Sequence, residues 1–457
     1  MERTKKDKRI DWIFFGVLLT AVSAVTLLLF HWQTIGSPEH YHSDMKAYIL
    51  EMQGLDSGYS FPYPVLFRFA ALIHLAAPPE LSMAVATMIL NSLAIVFVKM
   101  MLGSLVQEPL ENAFSRNKWM AGILISLVSV SLFFISMVFP PPGIYLPGIR
   151  YNYLGVFTSN PFHNATYMAA RPFAVLAFFQ FVKLLEHYED VSGITLKDYI
   201  LFALFLLLAT MTKPSFTIVL AGAAGLIMVY RLVRTRFRNF WPTVWLGICF
   251  IPTFIDLLYQ FKGVFVPEEG AEGGIGFCLG EVWRLYCDNI PLAVCLAVGF
   301  PLLVLVLHMG ELKRNTLYRF SWQLYWMSFA MAFFLYEKGF RKPDFNFSWG
   351  YMYGIFFCFV GAVSVLLKDT ACMITDRKNR TETDADTMTG TIKTESIKTE
   401  SIRAGSTRVG SRQMENPGKR GLLTREILLI LQWLAFLCHL VCGLYYFWGI
   451  FRGNMYY

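Results

Sequence analysis

Residues 62–78, PYPVLFRFAALIHLAAP, decide how this chain is threaded. The segment is apolar and, if helical, close to one bilayer thickness. Yet it carries Arg68 and His74 and is flanked by prolines. If it crosses a membrane, every later loop changes sides. If it lies flat, an amphipathic helix keeps Arg68 in water while its apolar face rests on the bilayer. We place it flat, because only then do the lysine and arginine clusters of the short loops fall on one side.

Around this segment the composition is that of an integral membrane protein. The 457 residues are 55% hydrophobic and only 16% charged, with a mean hydropathy of +0.47, which excludes an ordinary soluble domain. Apolar runs of roughly 17–25 residues, the length that spans a bilayer, recur throughout. The expected fold is an all-α polytopic membrane protein with about eleven transmembrane helices. These are placed near residues 11–32, 82–103, 119–139, 172–187, 198–212, 215–231, 241–259, 290–308, 321–337, 348–368 and 427–450. The fifth and sixth are parted only by TKPS and form either two short spans or one kinked hairpin. The first run follows a basic start and shows no small-residue cleavage site, so it reads as a retained helix.

The basic clusters are Arg3 to Arg9, Arg231 to Arg238 and Lys313 to Arg319. By the positive-inside bias they mark the cytoplasmic side, which gives a multi-pass plasma-membrane protein with a cytoplasmic N-terminus. The net charge of +8 follows this distribution, so no nucleic-acid partner is expected. Residues 1–368 form the core, with outer loops at 33–81, 140–171, 260–289 and 338–347. Residues 369–425 contain a tandem IKTES unit and few large apolar side chains. They are expected to be a disordered cytoplasmic linker, before a final span and tail at 426–457.

The eight cysteines form no metal-ligand pattern. No cofactor is expected, and nothing specific indicates a divalent metal. Cys278 and Cys287 flank a polar loop, where a disulfide is an option if the loop faces an oxidising compartment.

Candidate chemistry gathers on the outer loops. Asp44 precedes a stretch, SDMKAYILEMQG, whose Met45, Tyr48, Ile49 and Met52 share one helical face. Its plain role is an N-cap; its functional role is a general base at the membrane boundary, and one residue can do both. The aromatic-proline knot Phe61-Pro62-Tyr63-Pro64 follows, with Tyr63 a substrate-binding candidate. The long loop 139–173 offers Asn160, His163, Asn164 and Arg171 for hydroxyls and anions, and Tyr145, Tyr151, Tyr153 and Tyr167 as flat faces for sugar rings; alternatively it is a packed cap. Lys213, in MTKPSF, either snorkels or meets an anion. Residues 336–351 hold Lys338, Arg341 and Lys342 against the positive-inside bias, a phosphate clamp in kind. Glu337, Asp344 and Asn346 either pair with those charges or bind substrate hydroxyls.

With these motifs the chain resembles the GT-C class of polytopic glycosyltransferases, which includes dolichyl-phosphate-mannose and aminoarabinose transferases. The resemblance covers roughly residues 10–235. It rests on Asp44 in HSDMKAYILEM, on FPYPVLF in place of a YPPL-like element, on a second span after APPELSMAVATMIL, and on MTKPS. It implies inverting transfer of a sugar from a polyprenyl-phosphate donor to a saccharide or lipid-linked acceptor at the outer face. Asp44 would be the base; from the residues themselves, Arg341 and Lys342, with Lys213 or Arg171, are expected to hold the phosphate. Many members carry a second acid beside the first; Met45 stands there, which leaves acceptor choice and any metal requirement open. A flippase or exporter of lipid-linked saccharides, or an O-antigen-polymerase-like enzyme, would use similar groups.

Overall fold

The computed structural model of the chain describes residues 4–115, 117–139, 157–190, 193–264, 274–339, 341–388 and 419–454. Tyr145, Tyr151 and Tyr153 lie outside the described residues. Helix α1 (Lys5–Ile35) starts at a capping box in which Thr4 and Asp7 satisfy each other's backbone N–H groups. Two short helices, α2 (Met45–Met52) and α3 (Val65–His74), lead to α4 (Pro79–Phe114) and α5 (Trp119–Ser131). Then come α6 (Ala165–His187), α7 (Leu196–Thr210), α8 (Ser215–Arg234), α9 (Phe240–Ile248) and α10 (Ile251–Val264). Strand β1 (Ile275–Phe277) precedes α11 (Ile290–Ala297), α12 (Gly299–Leu307), α13 (Glu311–Arg314) and α14 (Thr316–Phe334). Strand β2 (Leu335–Glu337), α15 (Ser348–Met388) and α16 (Lys419–Phe451) complete the order. β1 and β2 pair antiparallel, Ile275 opposite Glu337.

A helix stands at each expected position, but not each is a span by itself. Six helices, α1, α4, α6, α8, α15 and α16, are long and apolar enough to cross a membrane. The number is eight if the bent pairs α9–α10 (46°) and α11–α12 (74°) each count once. α5 has 13 residues and α7 has 15, short of the roughly 20 that a straight crossing needs. With 10 residues, α3 is about 15 Å long, too short to cross. It packs on α2 and α4 with Arg68 exposed.

Two boundaries differ from the sequence reading. α15 continues to Met388 and α16 begins at Lys419, so residues 369–388 are helix rather than disordered linker. Asp369 and Asp376, on that extension, hold Arg425 of α16 at 2.8 and 2.9 Å, which joins the two helices there. The expected span 119–139 ends its helix at Ser131, and residues 135–139 are neither helix nor strand. Cys278 and Cys287 are buried and unbridged.

α15 is the centre of the bundle. Its apolar window is 100% buried, against 22% for α1 and 28% for α16, which therefore lie at the periphery. Its main partner is α14, along an antiparallel seam of small residues. A Cβ on Gly354 would fall 1.9 Å from Ser328 Oγ, and one on Gly361 2.2 Å from Ser321 Oγ. Small residues spaced seven apart on both helices let the two backbones close up, the usual packing device where lipid removes any hydrophobic drive between helices.

Non-helical backbone inside an apolar bundle must find partners, and α16 and α11 supply them for Ser136 and Val138. The Ser136 N–H donates to the His439 carbonyl at 3.2 Å, and Val138 N–H to Leu296 O at 3.0 Å. The His439 ring bridges further, with Nδ1 2.7 Å from Ser136 O and Nε2 accepting the Phe300 N–H at 3.1 Å. Gly443 lets α16 come this close: a Cβ there would lie 1.6 Å from Phe134 O. Elsewhere, buried Lys99 of α4 meets Asp11 of α1 and Ser126 of α5, both at 2.6 Å, a polar staple across three helices.

A Gly443→Ala variant is expected to lose about 1–3 kcal/mol of stability, because a backbone carbonyl cannot swing aside. Gly247→Ala, where nothing lies within 4 Å, is the control. Thermal unfolding of the purified protein in detergent reads both; equal midpoints would refute the close approach.

Candidate functional site

The opening turn of α2 does not use Asp44 as a side-chain cap. Ser43 Oγ accepts the Met45 N–H at 3.4 Å instead. The half-buried Asp44 carboxylate turns toward the start of α6. Its Oδ2 accepts from Asn164 Nδ2 at 2.7 Å and from the Tyr48 hydroxyl at 3.1 Å. Oδ1 accepts no hydrogen bond among the described residues.

Asn164 is held because it caps α6: its Oδ1 accepts the Tyr167 N–H at 2.9 Å and the Thr166 hydroxyl at 2.8 Å. Its Nδ2 also donates to the Tyr48 hydroxyl, 3.1 Å away. Tyr48, one turn after Asp44, reaches Thr166 Oγ1 at 3.3 Å, and Lys213 Nζ donates to that same oxygen at 3.3 Å. A carboxylate, an amide, a phenol, a threonine and an ammonium thus form one connected network. Burial and the neighbouring carboxylate push the Tyr48 pKa well above the ordinary phenol value, so its hydroxyl stays a donor.

Lys213 sits in the turn where α7 stops before Pro214, and it is 7% exposed. The aromatic-proline knot is tied to this turn by Val65 N–H donating to Met211 O at 3.1 Å. The ammonium lies 4.5 Å from the Trp349 ring centroid, a cation–π contact. Among the described residues Thr166 is its one hydrogen-bond acceptor, although an ammonium has three donors. Burial lowers its pKa to about 8, with Asp44 opposing the shift and Arg341 adding to it. Asp44 and Arg341 therefore both lie within electrostatic reach of Lys213. Tyr63 senses Asp44, Arg341, Glu51 and Glu337 together, and burial above all raises its pKa.

The far wall comes from the segment between β2 and α15. Trp349 Nε1 donates to Asn346 Oδ1 at 3.3 Å, and Asn346 Nδ2 to Glu337 Oε2 at 2.8 Å. Strand pairing with β1 fixes Glu337. Arg341 uses Nε toward Glu337 at 3.5 Å and Asp344 at 3.3 Å, and its terminal nitrogens make no hydrogen bond among the described residues. His163 is buried beside Trp349 at 5.6 Å, and burial, with His42 and Lys213, holds its pKa near 3, so the ring is neutral.

Asp44, Tyr63, His163, Asn164, Lys213, Glu337, Arg341 and Asn346 thus gather at one end of the bundle. Three candidates do not join them. Lys342 pairs with Glu281 at 2.7 Å and lies over Tyr336. Arg171 is fully buried and donates to Asn160 and Asn91, with its guanidinium 4.6 Å from the Phe133 ring. Asn160 braces the bend after α5, its Nδ2 donating to Leu132 O and Ile135 O. Arg171 and Asn160 hold the bundle together and are closed to a ligand. Tyr48, Thr166 and Trp349 are site residues that the sequence did not single out; only Tyr48, one helical turn from Asp44, carried a signal. Among the described residues no group of three His, Cys, Asp or Glu side chains is arranged to hold a metal.

Lys213 gives a testable sign. Below pH 8 folding dehydrates a charged lysine and costs stability. Between pH 8 and the ordinary 10.5 the folded form is neutral while the unfolded form still binds a proton, so this contribution rises with pH. Lys213→Met is expected to raise the unfolding midpoint at pH 7, with the gain shrinking by pH 10; a gain that grows with pH would contradict the burial of a charged lysine.

No protein-family model, curated protein or solved structure matches this chain.

Proposed function

We propose that the chain is a membrane glycosyltransferase that moves a sugar from a polyprenyl-phosphate donor to an acceptor hydroxyl with inversion. The supporting observation is the half-buried Asp44 carboxylate, fixed through Oδ2 and, among the described residues, open at Oδ1, beside a buried ammonium whose one acceptor there is Thr166. In this reading Oδ1 takes the acceptor O–H proton as the acceptor oxygen attacks the anomeric carbon. The bond from that carbon to the phosphate oxygen breaks, and its electrons leave with the polyprenyl phosphate. Lys213 and the free end of Arg341 stabilise that growing negative charge, which in a partly dehydrated site is the larger catalytic contribution. Asn346 and Tyr63 would contact sugar or acceptor hydroxyls.

The membrane arrangement belongs to the same proposal. Eleven crossings, with α5, α7 and α14 counted as spans, would put the basic clusters at the opposite end from Asp44. α8, for example, starts beside Lys213 and ends at Arg234. By the positive-inside bias the Asp44 end then faces outward across the plasma membrane, where a lipid-linked or free saccharide acceptor is at hand. The GT-C-like order of elements supports this reading, although Met45 replaces a second acid.

The test is reconstitution into vesicles with labelled polyprenyl-phosphate sugars and a panel of saccharide acceptors. Asp44→Asn is expected to lower kcat about 10²–10⁴-fold, the range for removing a general base. Lys213→Ala and Arg341→Ala should each raise the barrier by about 2.7–4 kcal/mol, as for loss of one charge-stabilising donor. Lys342→Ala should have little effect. Full transfer by Asp44→Asn removes the base from the mechanism. Movement of lipid-linked saccharide without acceptor, unchanged in Asp44→Asn, would replace transfer by flipping.

A further inference from the structure

A cavity of about 440 Å³ opens between the start of α11 and the end of α14, lined by none of the residues of the Asp44 cluster. Its walls are apolar, with Ile290 and Val294 on α11 and Phe329 and Phe333 on α14. Each pair is one helical turn apart, and the two phenylalanine rings stack at 5.6 Å. The back of the cavity is firmly built. Buried Trp283 packs on Phe329 at 5.6 Å and on Tyr351 at 4.9 Å. Gly280, at φ +70°, passes so close that a Cβ would lie 2.6 Å from the Phe333 ring, and its N–H donates to Phe333 O at 2.9 Å.

An apolar cleft on a membrane protein needs no special explanation, since lipid chains fill it. The two charges lining this one do. Arg284 and Asp288 are exposed, of opposite sign and four residues apart, yet neither makes an ion pair or a side-chain hydrogen bond among the described residues. On a regular helix that spacing would bring them together. Here a short 3₁₀ turn at Trp283–Leu285 and the Asn289 cap of α11 intervene. The cavity thus presents a guanidinium and a carboxylate, unpaired, at the mouth of an aromatic cleft.

We propose that this cavity binds a phosphoethanolamine lipid of the surrounding bilayer. The phosphate lies against Arg284, which suits a planar, bidentate donor. The primary ammonium donates to Asp288, and the first methylenes of an acyl chain run along Phe329 and Phe333. The size falls within that of ordinary ligand sites. A purely anionic headgroup would face Asp288 with like charge. A choline headgroup carries a cation with no N–H to donate. The ammonium–carboxylate contact therefore selects for the primary amine, and the aromatic wall accepts any chain.

The experiment uses the full chain purified in detergent and short-chain phosphatidylethanolamine, phosphatidylcholine and phosphatidylglycerol, with retention read by native mass spectrometry. Phosphatidylethanolamine is expected to be retained about tenfold over the other two, the size of one charge-assisted hydrogen bond. Asp288→Asn should erase its advantage over phosphatidylcholine and leave phosphatidylcholine itself unchanged. Arg284→Gln should lower retention of all three lipids. Both side chains are exposed and unbonded, so an unchanged unfolding midpoint confirms that the variants fold. Equal retention of the three lipids, a preference for phosphatidylglycerol, or an ethanolamine advantage that survives Asp288→Asn overturns the proposal.

Discussion

The close approach of α14 and α15 is the constraint on which the rest of the bundle depends. Gly354 against Ser328 and Gly361 against Ser321 remove side-chain bulk at matching heights on two antiparallel helices. Ser321 and Ser328 return their hydroxyls to the carbonyls of Tyr318 and Tyr325, so these two hydroxyls are satisfied. With that register fixed, the link from Phe334 to Ser348 is held at both ends. Glu337, Arg341, Asn346 and Trp349 are positioned by it, and Trp349 becomes the aromatic face over Lys213. A slip by one helical turn would move Trp349 about 5.4 Å along the axis, enough to uncover the lysine.

Around this axis several interior polar groups are taken up by other parts of the protein. Asn160, Asn91 and Arg171 consume one another, and the His439 ring serves two backbone groups at once. These are structural solutions to the cost of irregular backbone and buried charge in an apolar medium. The Asp44–Lys213 network differs in kind. It holds a carboxylate oxygen and ammonium hydrogens that no other group among the described residues occupies, and its lysine sits where charge is disfavoured.

Much of the architecture was legible because hydropathy and turn chemistry act locally. The one-sided basic clusters, with Arg68, His74 and the flanking prolines, marked residues 62–78 as lying flat, and TKPS marked the break between α7 and α8. Residues 135–139, ISMVF, look like the continuation of α5, because an irregular stretch satisfied by a distant histidine and a helical one have the same composition. The helical extension to Met388 was hidden for a similar reason: Asp369 and Asp376 look like linker charges until Arg425 is seen between them. At the site, Asp44 was visible from its place ahead of an amphipathic turn. Nothing local to Arg171 reveals that Asn91, eighty residues earlier, meets its guanidinium. Arg341 and Lys342 are neighbours in sequence, and only the position of Glu281 separates their roles.

The site is also drawn from three stretches that emerge from the ribosome far apart: 44–63, 163–213 and 337–349. Until the last of them is made, Lys213 has no indole beside it. The surroundings of that lysine are complete only once α15 has packed on α14. A truncated chain ending before Trp349 would hold the carboxylate and the ammonium but not the dry surroundings that make them effective.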